Sequence, residues 1–502
     1  MTSVAETTTE VSKVSLSGRL KKNWASILQG ESLKARVFRG GAWLGAGSFS
    51  EQVIRFGRNM ILTRLLAPEA FGTMAVVLSA CSVVQTIMDV GVREALIQNP
   101  KGSEDDYVGA AWWMAFGRGL SFWICVSAIA PFVAKFYGNP DLSPLFRVAA
   151  LGLLFEGALS SRAYAAIREM KFRKWAIINH GGAIAGVVVT IVLSFLLRNV
   201  WALVLGYVAE NVGRFTLSYM VCPYFPPRRL PLPAVRDLWK FSRQAFGLSL
   251  LNLIFARTDI FVLAKMFRPA EIGLYTMAIY LVQTPTSFVM NLLGQTLLPT
   301  FSRVQDDRAR INRILIQVSS VLALVAMPGL FFLSFCGRSL LNIVYGSRYS
   351  EAAGPLMVAS FVAVLNLLNG QITSVFFAKG HPQLHRRCVV IMAIAMIALI
   401  YPSIKVFGLV GGQLAALFAI GTGLLFQIAR LRHMTQLDLS RYAKVILISG
   451  LVSAGIAVTC LSTRSLAFIS QPLPNIAIGI VGCIAAYLIC GSVLFRGGFR
   501  LE

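Results

Sequence analysis

Apolar runs of membrane-spanning length recur from Gly40 to Phe495, separated by short polar links. A helix needs about 20 apolar residues to cross a bilayer core, and a spanning helix satisfies its own backbone there. The pattern predicts fourteen spans, at 40–65, 70–92, 107–136, 142–164, 175–197, 200–221, 237–266, 272–301, 313–336, 350–377, 388–404, 407–430, 442–463 and 474–495. The first is unlike the rest. From Gly47 to Leu66 it reads GSFSEQVIRFGRNMILTRLL. In helical register, Ser48, Glu51, Gln52, Arg55, Arg58 and Asn59 form one polar stripe. Ala46, Val53, Ile54, Gly57, Met60 and Ile61 take the other side. A charge at mid-membrane costs about 2.5–3.5 kcal/mol even on a lenient scale. The stripe must therefore face protein or a water-filled cavity.

Composition agrees with an all-α, polytopic membrane protein. Of 502 residues, 56% are hydrophobic and 14% charged, against about 25% charged in soluble domains. Mean hydropathy is +0.68. The net charge of +25 suggests nucleic acid until the positions are considered. Lys and Arg sit mainly in alternate links, as the positive-inside rule requires. With a cytoplasmic N-terminus, one such link holds Arg162, Arg168, Lys171, Arg173 and Lys174, and another Arg303, Arg308, Arg310 and Arg313. The opposite links hold only Arg198, Arg268, Arg338, Arg348, Lys405 and Arg464, with Arg64, Lys135 and Lys265 near helix ends. Dropping one span would invert every later link, so both termini are expected in the cytoplasm. Anionic membrane lipids are the expected partner of the basic links, and nucleic acid is not.

The chain repeats itself. Arg64, Pro68 and Gly72 recur as Lys265, Pro269 and Gly273, each 201 positions later. Tyr137-Gly138 recurs as Tyr345-Gly346. Parallel repeats of this kind build known transporters. They predict two six-helix lobes, 40–221 and 237–430, and a helix pair with tail at 431–502. The join 222–236, CPYFPPRRLPLPAVR, reads as a cytoplasmic linker. Residues 1–39 are a polar, basic tail, either an amphipathic surface helix over 19–38 or disordered. No apolar h-region precedes about Gly40, which argues against a signal peptide.

Catalytic motifs are missing. There is no GxxxxGK[ST], HExxH or GxSxG, and no link long enough for a soluble catalytic domain. No cofactor is expected. The eight cysteines include no CxxC, and the four histidines lack ligand-like company. The chemistry lies instead in ionisable groups within spans: Glu51, Arg55, Arg58, Asp89, Arg118, Glu156, Glu210, Arg214, Arg257 and Asp259. Glu51/Arg55 and Glu210/Arg214 are i,i+4 and can neutralise each other. Arg58 and Arg118 lack a carboxylate at helical spacing. An excess of arginine suits an anionic substrate, because the planar guanidinium fork binds phosphate. The second half carries mostly neutral polar groups, among them Gln283 and Gln413.

Several stretches resemble the Wzx-type polysaccharide flippases of the MOP (multidrug/oligosaccharidyl-lipid/polysaccharide) exporter superfamily. They are RLLAPEAFGTMAVV, DVGVREALIQ, NVWALVLGY, RTDIFVLAKMFRPAEIGLYTMA, LLPTFSRVQDD and YGSRYSEAAGPLMV. The resemblance covers roughly 40–430. It implies a bacterial inner-membrane protein, not an enzyme. Two lobes around a central cavity would turn an undecaprenyl-pyrophosphate-linked oligosaccharide between leaflets, alongside other polysaccharide assembly proteins. Arg55, Arg58, Arg118 and Arg214, joined by Arg257 from the second half, become candidates for holding the pyrophosphate. Glu51, Asp89, Glu156, Glu210 and Asp259 become ion-coupling or structural candidates. Replacing Arg55 or Arg58 by Ala is then expected to abolish export and leave the protein folded. A drug or cation antiporter of the same superfamily is the alternative, and would want an acid-rich cavity. A membrane-embedded polymerase or glycosyltransferase is another, and would want a large outer loop.

Overall fold

The computed structural model describes residues 33–88, 91–227, 230–242, 246–463 and 472–496. Among these residues the regular structure is helical, without strands. The first half contains α1 (Leu33–Leu65), α2 (Pro68–Met88), α3 (Val92–Gln98), α4 (Asp105–Tyr137), α5 (Leu142–Gly157), α6 (Arg162–Arg168), α7 (Phe172–Leu197) and α8 (Val200–Val221). A short α9 (Leu232–Ser242) leads to α10 (Phe246–Met266), α11 (Pro269–Ser302) and α12 (Arg308–Tyr345). A 3₁₀ turn (Ser347–Ala352) precedes α13 (Ala353–Ala378), α14 (Pro382–Phe407) and α15 (Leu409–Thr435). The chain closes with α16 (Leu439–Thr463) and α17 (Pro472–Arg496).

Among the described residues, eight helices are long and apolar enough to cross a membrane, or nine if the bent pair α5–α6 is one span. Large apolar side chains such as Phe132, Leu196, Val406, Leu425 and Leu488 stand exposed on the outside of the bundle, where lipid would meet them.

The packing repeats as the sequence does. In the first half α1 packs on α7, α2 and α8 on α5, α4 on α5, and α7 on α8. In the second, α10 packs on α14, α11 and α15 on α13, α12 on α13, and α14 on α15. The last two helices, α16 and α17, both pack on α12.

The repeated residues meet one another. A Cβ on Gly72 would strike the carbonyl of Pro269, and a Cβ on Gly273 would strike that of Pro68. So α2 and α11 cross backbone to backbone. Arg64 donates to the Ile343 carbonyl (2.9 Å) near the end of α12, and Lys265 to the Phe136 carbonyl (2.6 Å) near the end of α4. Each cation meets the carbonyl-rich, partly negative end of a helix in the other half. A large apolar core runs across this contact, with Leu62, Phe71 and Met74 from one half and Met277, Tyr345 and Tyr349 from the other.

One expected span differs. The predicted span 142–164 is broken, with α5 and α6 bent by 56°. The break sits at buried Ser160 and Ser161. Ser160 donates its backbone N–H to Ser218 Oγ (3.0 Å) and its hydroxyl to the Cys222 carbonyl (2.7 Å). Irregular backbone at depth is tolerated where protein supplies such partners. The described part of the join 222–236 packs against the first half. Trp113 Nε1 donates to the Pro227 carbonyl (3.0 Å), and Tyr107 donates its hydroxyl to Asp237 (2.9 Å). Ala234 and Leu238 of α9 are buried with Val92, Leu96 and Ala110. The connector is therefore strapped to the first half.

Candidate functional site

The polar stripe of α1 faces inward. Val53, Ile54 and Ile61 on its other side are exposed, and Asn59 is buried. The stripe opens onto a cavity of about 410 Å³ between the two halves. Arg55, Arg58 and Asn59 of α1 line it with Tyr207 and Glu210 of α8. The second half contributes Arg257 and Asp259 of α10, with Tyr275, Tyr280 and Gln283 of α11.

Small residues bring Glu210 into this wall. A Cβ on Gly186 of α7 would lie 2.5 Å from the Glu210 Cβ. Gly182 has no room for a side chain beside Arg214. With glycine at both positions, α8 presses onto α7, and Glu210 reaches α1.

The result is a chain of charges. His180 Nδ1 of α7 lies 2.9 Å from Glu51 Oε2. Arg55 donates through Nε to Glu51 Oε1 (2.9 Å) and through Nη2 to Glu210 Oε1 (2.5 Å). Arg214 donates to the same Glu210 oxygen (2.6 Å). Both i,i+4 pairs read from the sequence therefore form. The bond that joins them, between residues 155 positions apart, had no local signal. His180 was also missed, because it meets Glu51 only through tertiary packing.

Arg58 is differently placed. Its Nε and Nη2 donate to Asn59 Oδ1 at 3.2 and 3.1 Å. Among the described residues, no carboxylate lies within ion-pair distance of it. In the second half, Tyr275 donates its hydroxyl to Asp259 (2.7 Å), and Gln413 Nε2 donates to the same hydroxyl (2.7 Å). The cavity wall thus carries Arg55, Arg58 and Arg257 against Glu210 and Asp259.

Other sequence candidates lie elsewhere. Arg118 does not line the cavity, and α4, which carries it, adds no residue to the wall. Arg214 stands outside the wall, bonded to Glu210. Glu156 accepts from Gln85 at 3.2 Å, also outside the wall. Asp89 falls outside the described residues. Among the described residues, no group of three or more His, Cys, Asp or Glu could hold a metal ion.

Two contacts between halves bracket the cavity along α11. The Gly72–Gly273 crossing lies at one end. At the other, Gln52 donates to Ser287 Oγ (3.3 Å), and the rings of Phe49 and Phe288 meet edge to face at 5.4 Å.

Comparison with known proteins fits this geometry. Residues 61–354, more than half of the chain, match the family described as polysaccharide biosynthesis protein. The chain is 22% identical over 398 residues to the lipopolysaccharide biosynthesis protein WzxC of Escherichia coli (strain K12), covering 78% of this chain and 79% of that one. It is 24% identical over 299 residues to the succinoglycan biosynthesis transport protein ExoT of Rhizobium meliloti (strain 1021), covering 60% of each. Its fold is similar to that of the lipid II flippase MurJ in an inward closed conformation. The TM-score is 0.75 at 14% identity, with 91% of this chain and 99% of that one covered. The chain belongs to the polysaccharide biosynthesis protein family, and its resemblance to the Wzx-type flippases of the MOP exporter superfamily is borne out.

Proposed function

We propose that the chain flips an undecaprenyl-pyrophosphate-linked oligosaccharide across the bacterial inner membrane, from the inner to the outer leaflet, for exopolysaccharide or O-antigen assembly. The proposed topology has fourteen spans, two six-helix lobes at 40–221 and 237–430, and cytoplasmic termini. It puts the Gly72–Gly273 crossing at the outer face and the Gln52–Ser287 contact toward the cytoplasm. No covalent bond is made or broken. The lobes alternate access to the cavity, and substrate biases them only through different affinities for the two states.

The observation that carries this reading is Arg58, a cation on the wall of the inter-lobe cavity that, among the described residues, has no carboxylate within ion-pair distance. A guanidinium bonded there to a neutral amide oxygen keeps its charge available for an anion. Arg257 faces the same space from the other lobe. The cavity lies within the usual range of small-molecule pockets, about 300–1,000 Å³, which suits a pyrophosphate head group. Tyr207, Tyr280 and Gln283 offer polar contacts to a first sugar. A cation antiporter fits less well, because arginines outnumber carboxylates on the wall.

Deleting the gene tests the function. Lipid-linked oligosaccharide should accumulate on the inner leaflet. Normal export with altered drug sensitivity would instead mark an antiporter. Arg58→Ala should abolish export while the protein stays folded and in the membrane. Unchanged export by that variant would remove the pyrophosphate role.

A further inference from the structure

Arg55 reaches the cavity wall with its guanidinium already taken. Its Nε meets Glu51 and its Nη2 meets Glu210, while Arg214 donates to the same Glu210 oxygen. Glu210 itself lines the cavity, and Glu51 does not. A carboxylate that bridges two arginines at a cavity wall occupies the place an incoming phosphate oxygen would take. We propose that Glu210 is an internal counter-anion that competes with the substrate's pyrophosphate for Arg55 and so sets how tightly the cavity holds an anion. This rests on the flippase reading given above.

Chemical and physical reasons agree. Charge-assisted bonds from one guanidinium to a carboxylate and to a phosphate have the same geometry, so one acceptor can replace the other. Arg58, lacking a carboxylate, would make the first contact. Engagement of Arg55 would then require Glu210 to give up one of its two arginines, with Arg214 left to hold it. A site that must release its cargo gains from such competition, since binding must be weak enough to leave as well as strong enough to enter. Glu51 acts on the same arginine from outside the wall, and His180 holds it there. The two carboxylates thus divide the work: Glu51 positions Arg55, and Glu210 competes for what Arg55 binds.

The test uses the full chain purified in detergent, with inorganic pyrophosphate as the probe and calorimetry as the readout. Glu210→Gln removes the competing charge and keeps the shape. It should bind pyrophosphate about tenfold more tightly than wild type, a difference of ~1.4 kcal/mol. Arg58→Gln should lose most binding. Glu51→Gln should tighten binding far less than Glu210→Gln. Should Glu210→Gln fail to fold, Glu210→Asp keeps the charge but withdraws it from Arg55 by one methylene, and should also bind more tightly than wild type. Equal or weaker binding by the folded Glu210 variants, with Arg58→Gln still losing affinity, would overturn the competition and leave the flippase reading standing. Absence of pyrophosphate binding in wild type and Glu210→Gln alike would overturn both.

Discussion

Two arginines three positions apart on α1 have opposite surroundings, and their replacements should fail in opposite ways. Arg55 lies between two carboxylates. Removing it leaves Glu51 with His180 alone and Glu210 with Arg214 alone, and loses charge-assisted bonds worth roughly 1.5–3 kcal/mol. The expectation from sequence, that Arg55→Ala leaves the protein folded, therefore changes. Thermal unfolding in detergent should show Arg55→Ala clearly destabilised. Arg58→Ala should lose less, since it leaves no carboxylate unpaired and frees only the Asn59 Oδ1 acceptor, on the cavity wall. Equal stability of the two variants would contradict the charge chain. The stripe itself was legible, because a period of 3.6 places Glu51, Arg55 and Arg58 on one side whatever they meet. Which arginine is committed was not legible. That depends on Glu210, brought to α1 by glycines on α7 that read in sequence as ordinary small residues of an apolar helix.

The helices show the same division between local and distant causes. The repeated Arg64, Pro68 and Gly72 were visible as a motif, and they mark a helix crossing in which each repeat meets its counterpart. Equivalent residues facing each other across an axis should give equivalent variants. Gly72→Ala and Gly273→Ala each put a methyl group into the backbone of the opposing helix. Each should force α2 and α11 apart at the proposed outer end. With native cysteines replaced and a single cysteine at Thr276 on the cavity wall, either variant should increase labelling by a membrane-impermeant thiol reagent added from outside. No increase in either would mean that this crossing does not seal the cavity. The break between α5 and α6 was hidden for a different reason. Hydropathy averages over Ser160 and Ser161, and the hydrogen bonds that allow an irregular turn there come from Ser218 and Cys222. Those partners lie 58 and 62 positions away.

At the scale of the whole molecule, two unequal contacts hold the halves around the cavity. One is the glycine crossing with its apolar core and the reciprocal Arg64 and Lys265 bonds. The other, among the described residues, is slight: one hydrogen bond from Gln52 to Ser287 and one ring pair, Phe49 with Phe288. The proposed alternating-access cycle must break each in turn. The slight contact should yield first, because a single net hydrogen bond is worth only about 0.5–1.5 kcal/mol and one aromatic pair about as much. In the proposed topology it lies on the cytoplasmic side, so the state seen here should open readily toward the cytoplasm and admit substrate from the inner leaflet. Pinning it shut should therefore stop transport without touching the arginines. Cysteines introduced at Gln52 and Ser287, joined by a short reducible bifunctional thiol reagent, should block export in whole cells, and reduction should restore it. The unlinked double variant should export near normally, because neither side chain lines the cavity. Export that continues after complete cross-linking would show that the lobes need not part here, and that substrate enters by another route.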